Sequence, residues 1–150
     1  MHIRNILLAG VLGGLLLLVV MLFSGAVATA ILPYTIFDIP GMRPATDPVS
    51  VLFFLYPFVL AFAGAVLYDL LSPALSGGRV IKGLVFGLLL FLISTVPGIF
   101  VIWSSMYYPA GFYLENTLSG IIGFPLFGIL CTGIWRSDGL MELKKEASGI

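Results

Sequence analysis

Five residues of this 150-residue chain could converge on a ligand. Glu115 and Asn116 open the last apolar stretch, and Asp38, Arg43 and Asp47 lie in the segment "PYTIFDIPGMRPATDP". Carboxylates gathered with amide and hydroxyl oxygens, Thr117 included, would offer a seat for a cation or a stop on a proton path. Each also has a plainer role. Glu115 in the first turn of a helix is stabilised by the positive end of the helix dipole, and Arg43 can pair with a neighbouring acid and order the loop. The plainer role is favoured for Glu115, with the ion or ligand site as the sharper alternative.

The remaining inventory closes off most membrane enzymology. Zinc sites, bis-histidine haem and histidine-base hydrolysis all need histidines, and His2 is the only one. A dithiol relay needs two cysteines, and Cys131 stands alone. An aspartyl dyad needs two facing carboxylates, whereas Asp69 sits at the inner end of its segment with no second acid opposite. No Walker-type glycine loop is present. No catalysis, cofactor, metal or nucleic-acid partner is expected.

The elements that would position these residues follow from composition. Hydrophobic residues make up 60% of the chain and charged ones 9%, against about 25% charged in a soluble domain. There is too little polar surface to face water on all sides, so the expected solvent is lipid. A helix crosses a bilayer in about 20 apolar residues. Four stretches meet that length, at 6–32, 49–71, 80–105 and 112–135. Runs such as "LLLLVVMLF" do not alternate as barrel strands must. The expected fold is all-α: an integral membrane protein, a compact bundle of four transmembrane helices in one domain, 1–136, with a tail at 137–150. The loop 33–48 carries four prolines and a glycine, which rule out a long helix there. Short turns at 72–78 and 106–111 should make consecutive helices antiparallel neighbours.

Charge gives the orientation. Arg4, Arg79, Lys82, Arg136, Lys144 and Lys145 fall on one side and only Arg43 on the other, six of the seven basic residues. The basic side is expected to be cytoplasmic, giving N-in and C-in in the cell (inner or plasma) membrane. Tyr34, Tyr56, Trp103, Tyr107, Tyr108 and Tyr113 gather near the outer ends, Tyr68 and Trp135 at the inner ends, as interfacial belts do. The triplet Ala28-Thr29-Ala30 resembles a signal-peptidase site. The apolar run before it is longer than the roughly 7–15 residues of a signal core, so a retained first helix is expected.

Helices in lipid associate through small residues. Gly83, Gly87, Ser94, Gly98 and Ser105 form the expected seam of the third helix, and Glu115, Ser119 and Gly123 share a face of the fourth. Gly10 with Gly14, Gly25 with Thr29, and Ala61 with Ala65 do the same in the first two. These faces read as bundle interior rather than as a homodimer contact. Pro57, Pro97 and Pro125 should kink their helices, with carbonyls freed near Ser94 and Thr95 lining a small polar cavity. The segments 56–69 and 124–138 both open on aromatic-Pro and close on an aromatic and an Asp, a faint internal echo. The tail can form a short amphipathic helix capped at Ser137 or Asp138, with Leu140 and Leu143 on one side and Lys144 and Lys145 near headgroups.

The expected role is that of a non-catalytic accessory or assembly component. Its partners would be the lipid bilayer, other membrane proteins or further copies of itself. The alternative is a minimal transporter or channel subunit for a small solute or ion, working as an oligomer because four helices enclose no wide pore.

Overall fold

Backbone nitrogens without hydrogens decide where these helices change character. The computed structural model describes residues 2–148, with side chains at 2–37 and 39–135. It is 81% helical, and no strand forms among the described residues, so a barrel is excluded. Helix α1 spans Ile3–Ile31 and closes with Leu32 N–H on Ala28 O at 2.8 Å. A short 3-10 turn, Ile36–Asp38, follows in the loop. In an α-helix the Phe53 carbonyl would accept from residue 57, but Pro57 has nothing to donate. Tyr56 N–H takes that carbonyl one residue early. Pro48–Leu55 is therefore wound as a 3-10 helix, capped by Asp47, and α2 covers only Tyr56–Leu71. The expected single α-helix over 49–71 is thus two kinds of helix joined at a proline.

Pro97 acts similarly and with more consequence. Helix α3, Arg79–Leu90, passes into a π-helical segment, Phe91–Thr95, before α4, Val96–Ser105. Val96 N–H bonds Phe91 O, five residues back, just ahead of the proline. One extra residue in a turn rotates everything beyond it by about 100°. That rotation breaks the expected seam. Gly83 and Gly87 face α5, but a side chain added at Gly98 would meet open space, and Ser105 is exposed with its hydroxyl on Val101 O. Ser94 is half-buried and donates to Leu90 O of its own helix at 2.7 Å. The seam holds for its first two members and fails after the π turn.

Helix α5 spans Ala110–Ser148 with Pro125 inside it. It runs through residues 137 and 138 without interruption, so no separate tail helix starts there. The side-chain placement expected for Leu140, Leu143, Lys144 and Lys145 lies outside the described residues. Four helical stretches are long and apolar enough to cross a membrane: Ile3–Ile31, Pro48–Leu71, Arg79–Ser105 and Ala110–Trp135.

The core is built from absent side chains. Phe62 fills the hollow beside Gly10, Phe58 that beside Gly14, and the fully buried Phe127 sits against both Gly13 of α1 and Gly64 of α2. Between α3 and α5 it is backbone that meets backbone. A Cβ at Gly83 would stand 2.6 Å from Ile129 N, and one at Gly87 2.5 Å from Pro125 N. Close backbone approach occurs at three seams, α1–α2, α1–α5 and α3–α5. Helices α2 and α3 are consecutive, yet they meet chiefly through side chains, Tyr68 lying edge-on to Phe86 at 5.0 Å. The α2–α3 side is therefore the loosest seam of the bundle, although the two helices follow one another in the chain.

Burial is uneven along the axis. In their most apolar windows, the first and fourth stretches bury 39% of residues, the second 22% and the third 17%. The shortfall lies at the end that carries the 33–48 loop, where neither Pro48–Leu55 nor α4 contains a buried residue. This is called the loop end below, and the opposite one the tail end.

These contacts sort the glycines by consequence. Gly83→Val, which must push the α5 backbone aside, should lower stability in detergent by about 1–3 kcal/mol or prevent assembly altogether. Gly98→Ala should stay within about 0.5 kcal/mol of the parent. Unfolding in mixed detergent micelles measures both. Equal losses at the two positions would show that the α3–α5 seam is misplaced.

Candidate functional site

The polar side chains form two ties, one at each end of the bundle. At the loop end the chain leaving α1 must cross the start of α5. It can do so because Gly111 is bare: a Cβ there would stand 2.5 Å from Leu32 O and would run into the Tyr34 ring. The crossing delivers the Tyr34 hydroxyl to Glu115, to whose Oε2 it donates. Gly25 of α1 closes the other side, with room for a Cβ only 3.3 Å from Glu115 Oε1. Burial, then the adjoining carboxylate, pushes the Tyr34 phenol above the ordinary tyrosine range. Helix α5 begins at Ala110, two residues before the expected start, so Glu115 is its sixth residue and lies beyond the first turn. The helix dipole acts mostly within the first turn. A hydrogen bond from Tyr34 replaces the expected helix-end role.

The other candidate residues do not join it. Arg43 Nη1 pairs with Asp47 Oδ2 at 2.7 Å, and Asp47 Oδ1 accepts from Val49 N–H at 2.9 Å. The Val49 amide first, then Arg43, hold the Asp47 carboxyl below its usual range. This is an ordered loop corner, and no hydrogen bond or ion pair links it to Glu115 among the described residues. The side chain of Asp38 lies outside the described residues. Asn116 donates from Nδ2 to Phe112 O at 2.8 Å, one turn back on its own helix. It also lines a cavity of about 50 Å³ with Thr95, Ser119, Gly120 and Tyr56. A polar cavity beside Thr95 was expected; Ser94, bonded within α3, takes no part in it. Its volume admits a few waters at most. The small residues of the same helix serve packing: Gly120 adjoins Thr95 and Phe91, and Gly123 adjoins Leu17 and Val20.

The tail-end tie was not anticipated from sequence. Asp69, with 6% of its side chain exposed, accepts from three directions. His2 Nδ1 lies 2.7 Å from Oδ1, Trp135 Nε1 donates to Oδ1 at 2.9 Å, and His2 N–H donates to Oδ2 at 3.2 Å. One carboxylate thus joins the start of α1, the end of α2 and α5. A signal was available. An acid in the last turn of a helix opposes its own dipole, so Asp69 needs donors from elsewhere, and the N-terminus of antiparallel α1 is the natural source. Tyr68 stacks edge-on against Trp135 at 5.1 Å and completes the cluster. Two further residues escaped the sequence reading. Asn5 and Ser24 are buried in α1, and the Asn5 amide atoms and the Ser24 hydroxyl have no hydrogen-bond partner among the described residues. No group of three His, Cys, Asp or Glu comes together among the described residues, and the Cys131 thiol is fully buried.

Both ties can be measured. In a double-mutant cycle of Asp69→Asn and Trp135→Phe, detergent unfolding should give a coupling of about 1–2 kcal/mol; additive losses would mean that the indole does not serve Asp69. For Tyr34, the raised phenol means that the hydrogen bond to Glu115 stabilises the fold fully below the ordinary tyrosine value and is lost as pH climbs past it. Subtracting the phenolate titration of Tyr34→Phe from that of the parent should isolate a component above about 10. A component at the ordinary value would show that the contact is absent in solution.

No protein-family model, no curated protein and no solved structure matches the chain, so the meaning of these arrangements rests on its own residues.

Proposed function

We propose that this chain is a multi-pass protein of the cell membrane with both termini in the cytoplasm, acting as a non-catalytic accessory component that docks onto a helix of another membrane protein. Lipid as solvent is supported by an inverted pattern of burial. The side chains turned outward from α1 are Leu7, Leu8, Val11, Leu12, Leu15 and their like, while Ala9, Gly10, Gly13, Gly14, Ser24 and Ala28 are buried on its inward face among a few larger residues. Water would select the opposite arrangement, and lipid tolerates it because helices there associate through small residues. The orientation follows from the basic residues at the tail end. Catalysis is disfavoured because Glu115, Asp47 and Asp69 are all engaged in holding chain segments together.

The observation that carries the accessory role is the bare outer half of the third stretch. Helix α4 has no buried residue, exposes Phe100, Val101 and Trp103, and has open space at Gly98. A glycine with nothing against it allows an incoming helix to approach to backbone distance. The runner-up, a transporter or channel subunit, rests on the cavity at Thr95, Asn116 and Ser119. At about 50 Å³ it supports a path only if several copies extend it.

A photoreactive residue at Phe100 tests the accessory role in native membranes. It should crosslink one discrete membrane protein, and Gly98→Leu should abolish that adduct without affecting one placed at the core residue Phe62. Adducts only to lipid would sink the role, and adducts only to a second copy would replace it with self-association. Orientation is tested separately by a cysteine at Tyr107, which is fully exposed in the 106–109 turn. An impermeant thiol reagent should label it from outside intact cells, and protection there would reverse the topology.

A further inference from the structure

Beside the 72–78 turn, the tail end holds a hollow of about 480 Å³ lined by Tyr68, Ser72, Arg79, Lys82, Thr132 and Trp135. Its polar inventory is one-sided. Ser72 Oγ donates to Asp69 O at 3.2 Å and Thr132 Oγ1 to Ile129 O at 2.8 Å, so both hydroxyl hydrogens are spent on nearby backbone. The indole of Trp135 is spent on Asp69. The donors left at the hollow are the Arg79 guanidinium, the Lys82 ammonium and the opening amides of α3 ahead of Lys82, whose own N–H bonds Gly78 O at 2.9 Å. Neither cation has an acidic partner among the described residues. Arg79 is also given a seat: its Nη2 lies 2.5 Å from where a Cβ on Gly133 would stand, so a bare position of α5 lets the guanidinium lie against that helix.

Within the chain this arrangement is repulsive. Arg79 is the first residue of α3 and Lys82 the fourth, at the positive end of the helix dipole, with no acid in that turn and no side-chain cap from Gly78. An anion with several acceptor oxygens converts the repulsion into attraction, because cations and amides then point at one charge. The apolar surface leading away along α3, through Ile81, Leu84, Val85 and Leu88, is exposed. An acyl chain attached to that anion would have a track to follow.

We propose that the hollow binds the phosphate of an anionic phospholipid, clamped by Arg79 and Lys82, with the Tyr68–Trp135 pair as the wall beside the glycerol. The inference rests on the membrane setting proposed above, in which this end faces the anionic cytoplasmic leaflet.

Trp135 reports directly on the site once Trp103, the only other tryptophan, is changed to Phe. The protein is reconstituted in phosphatidylcholine vesicles holding a minor fraction of either phosphatidylglycerol or phosphatidylcholine with brominated chains. Brominated phosphatidylglycerol should quench Trp135 preferentially. Arg79→Gln and Lys82→Gln should each lower that preference about fivefold, while Arg79→Lys, Lys82→Arg and the loop-end control Arg43→Gln retain most of it. Detergent melting temperatures matching the parent's confirm that the variants are folded. Protein that floats with the vesicles but is quenched equally by both lipids overturns the site and leaves the membrane setting intact; protein that does not float overturns the setting itself. Glycerol phosphate added to detergent micelles tests a soluble source. If it shifts Trp135 emission at concentrations as low as the phospholipid requires, the lipid is overturned as the ligand.

Discussion

Backbone must lie against backbone where α3 crosses α5, and the rest of the structure is arranged around that requirement. Gly83 and Gly87 supply one surface, and Gly128, with the main chain around Pro125 and Ile129, supplies the other. Because α3 is held there, its first turn is fixed beside residues 132–135 of α5, which places Arg79 against Gly133 and sets Lys82 in the same hollow as Trp135. Because α5 is committed to α3 on one side and to α1 on the other, α2 is left to reach it through rings. Phe127 bridges to Gly13 and Gly64, and Tyr68 bridges to Trp135. The glycines stabilise nothing on their own. They permit dispersion contacts that any side chain would prevent.

The limits of the sequence reading can be traced to particular residues. All four apolar stretches were legible because their lengths are set by a physical minimum that few other segments meet, and the helix ends lie within a few residues of those expected, except that α5 continues to Ser148. Gly83, Gly87 and Gly123 were legible because helical periodicity brings small residues to one face. Gly98 was misjudged because periodicity was carried through Pro97. A missing backbone hydrogen is visible in sequence, but whether the helix absorbs it by kinking or by a π turn depends on what packs around it, here Gly120 against Thr95 and Phe91. Pro57 makes the same point with the opposite outcome, a tightened 3-10 segment before it. The looseness of the α2–α3 seam was also out of reach, since loop length limits only how far apart neighbours can lie.

The candidate site was legible as a set of residues and not as an assembly. Glu115 stood out because acids are rare in apolar helices. Its partner did not, because Tyr34 reaches it only through the crossing that Gly111 permits. Asp38, Arg43 and Asp47 shared a loop with a plausible purpose, and the loop used two of them for its own order. Asp69 reads in the sequence as a terminal acid, yet its position against the dipole of α2 is itself evidence of a partner. A charge in an electrostatically unfavourable place calls for a search for the group that compensates it.

That argument extends from Asp69 to Arg79 and Lys82, and the two cases differ instructively. Asp69 opposes the dipole of its helix, and the chain answers with His2 and Trp135. Arg79 and Lys82 oppose theirs, and the described chain supplies no answer. In water such cations would be solvated at little cost. At the edge of a bilayer, beside a hollow walled by Tyr68 and Trp135, solvation is poorer and the compensating charge is most readily found in the lipid itself. The tail end would then be held by two compensations, one internal and one borrowed from the membrane, while the loop end, where α4 and Pro48–Leu55 bury nothing, stays open to an incoming helix. On the proposed reading, such a bundle would be braced by side-chain ties at one face of the membrane and open at the other, the asymmetry that an accessory subunit needs.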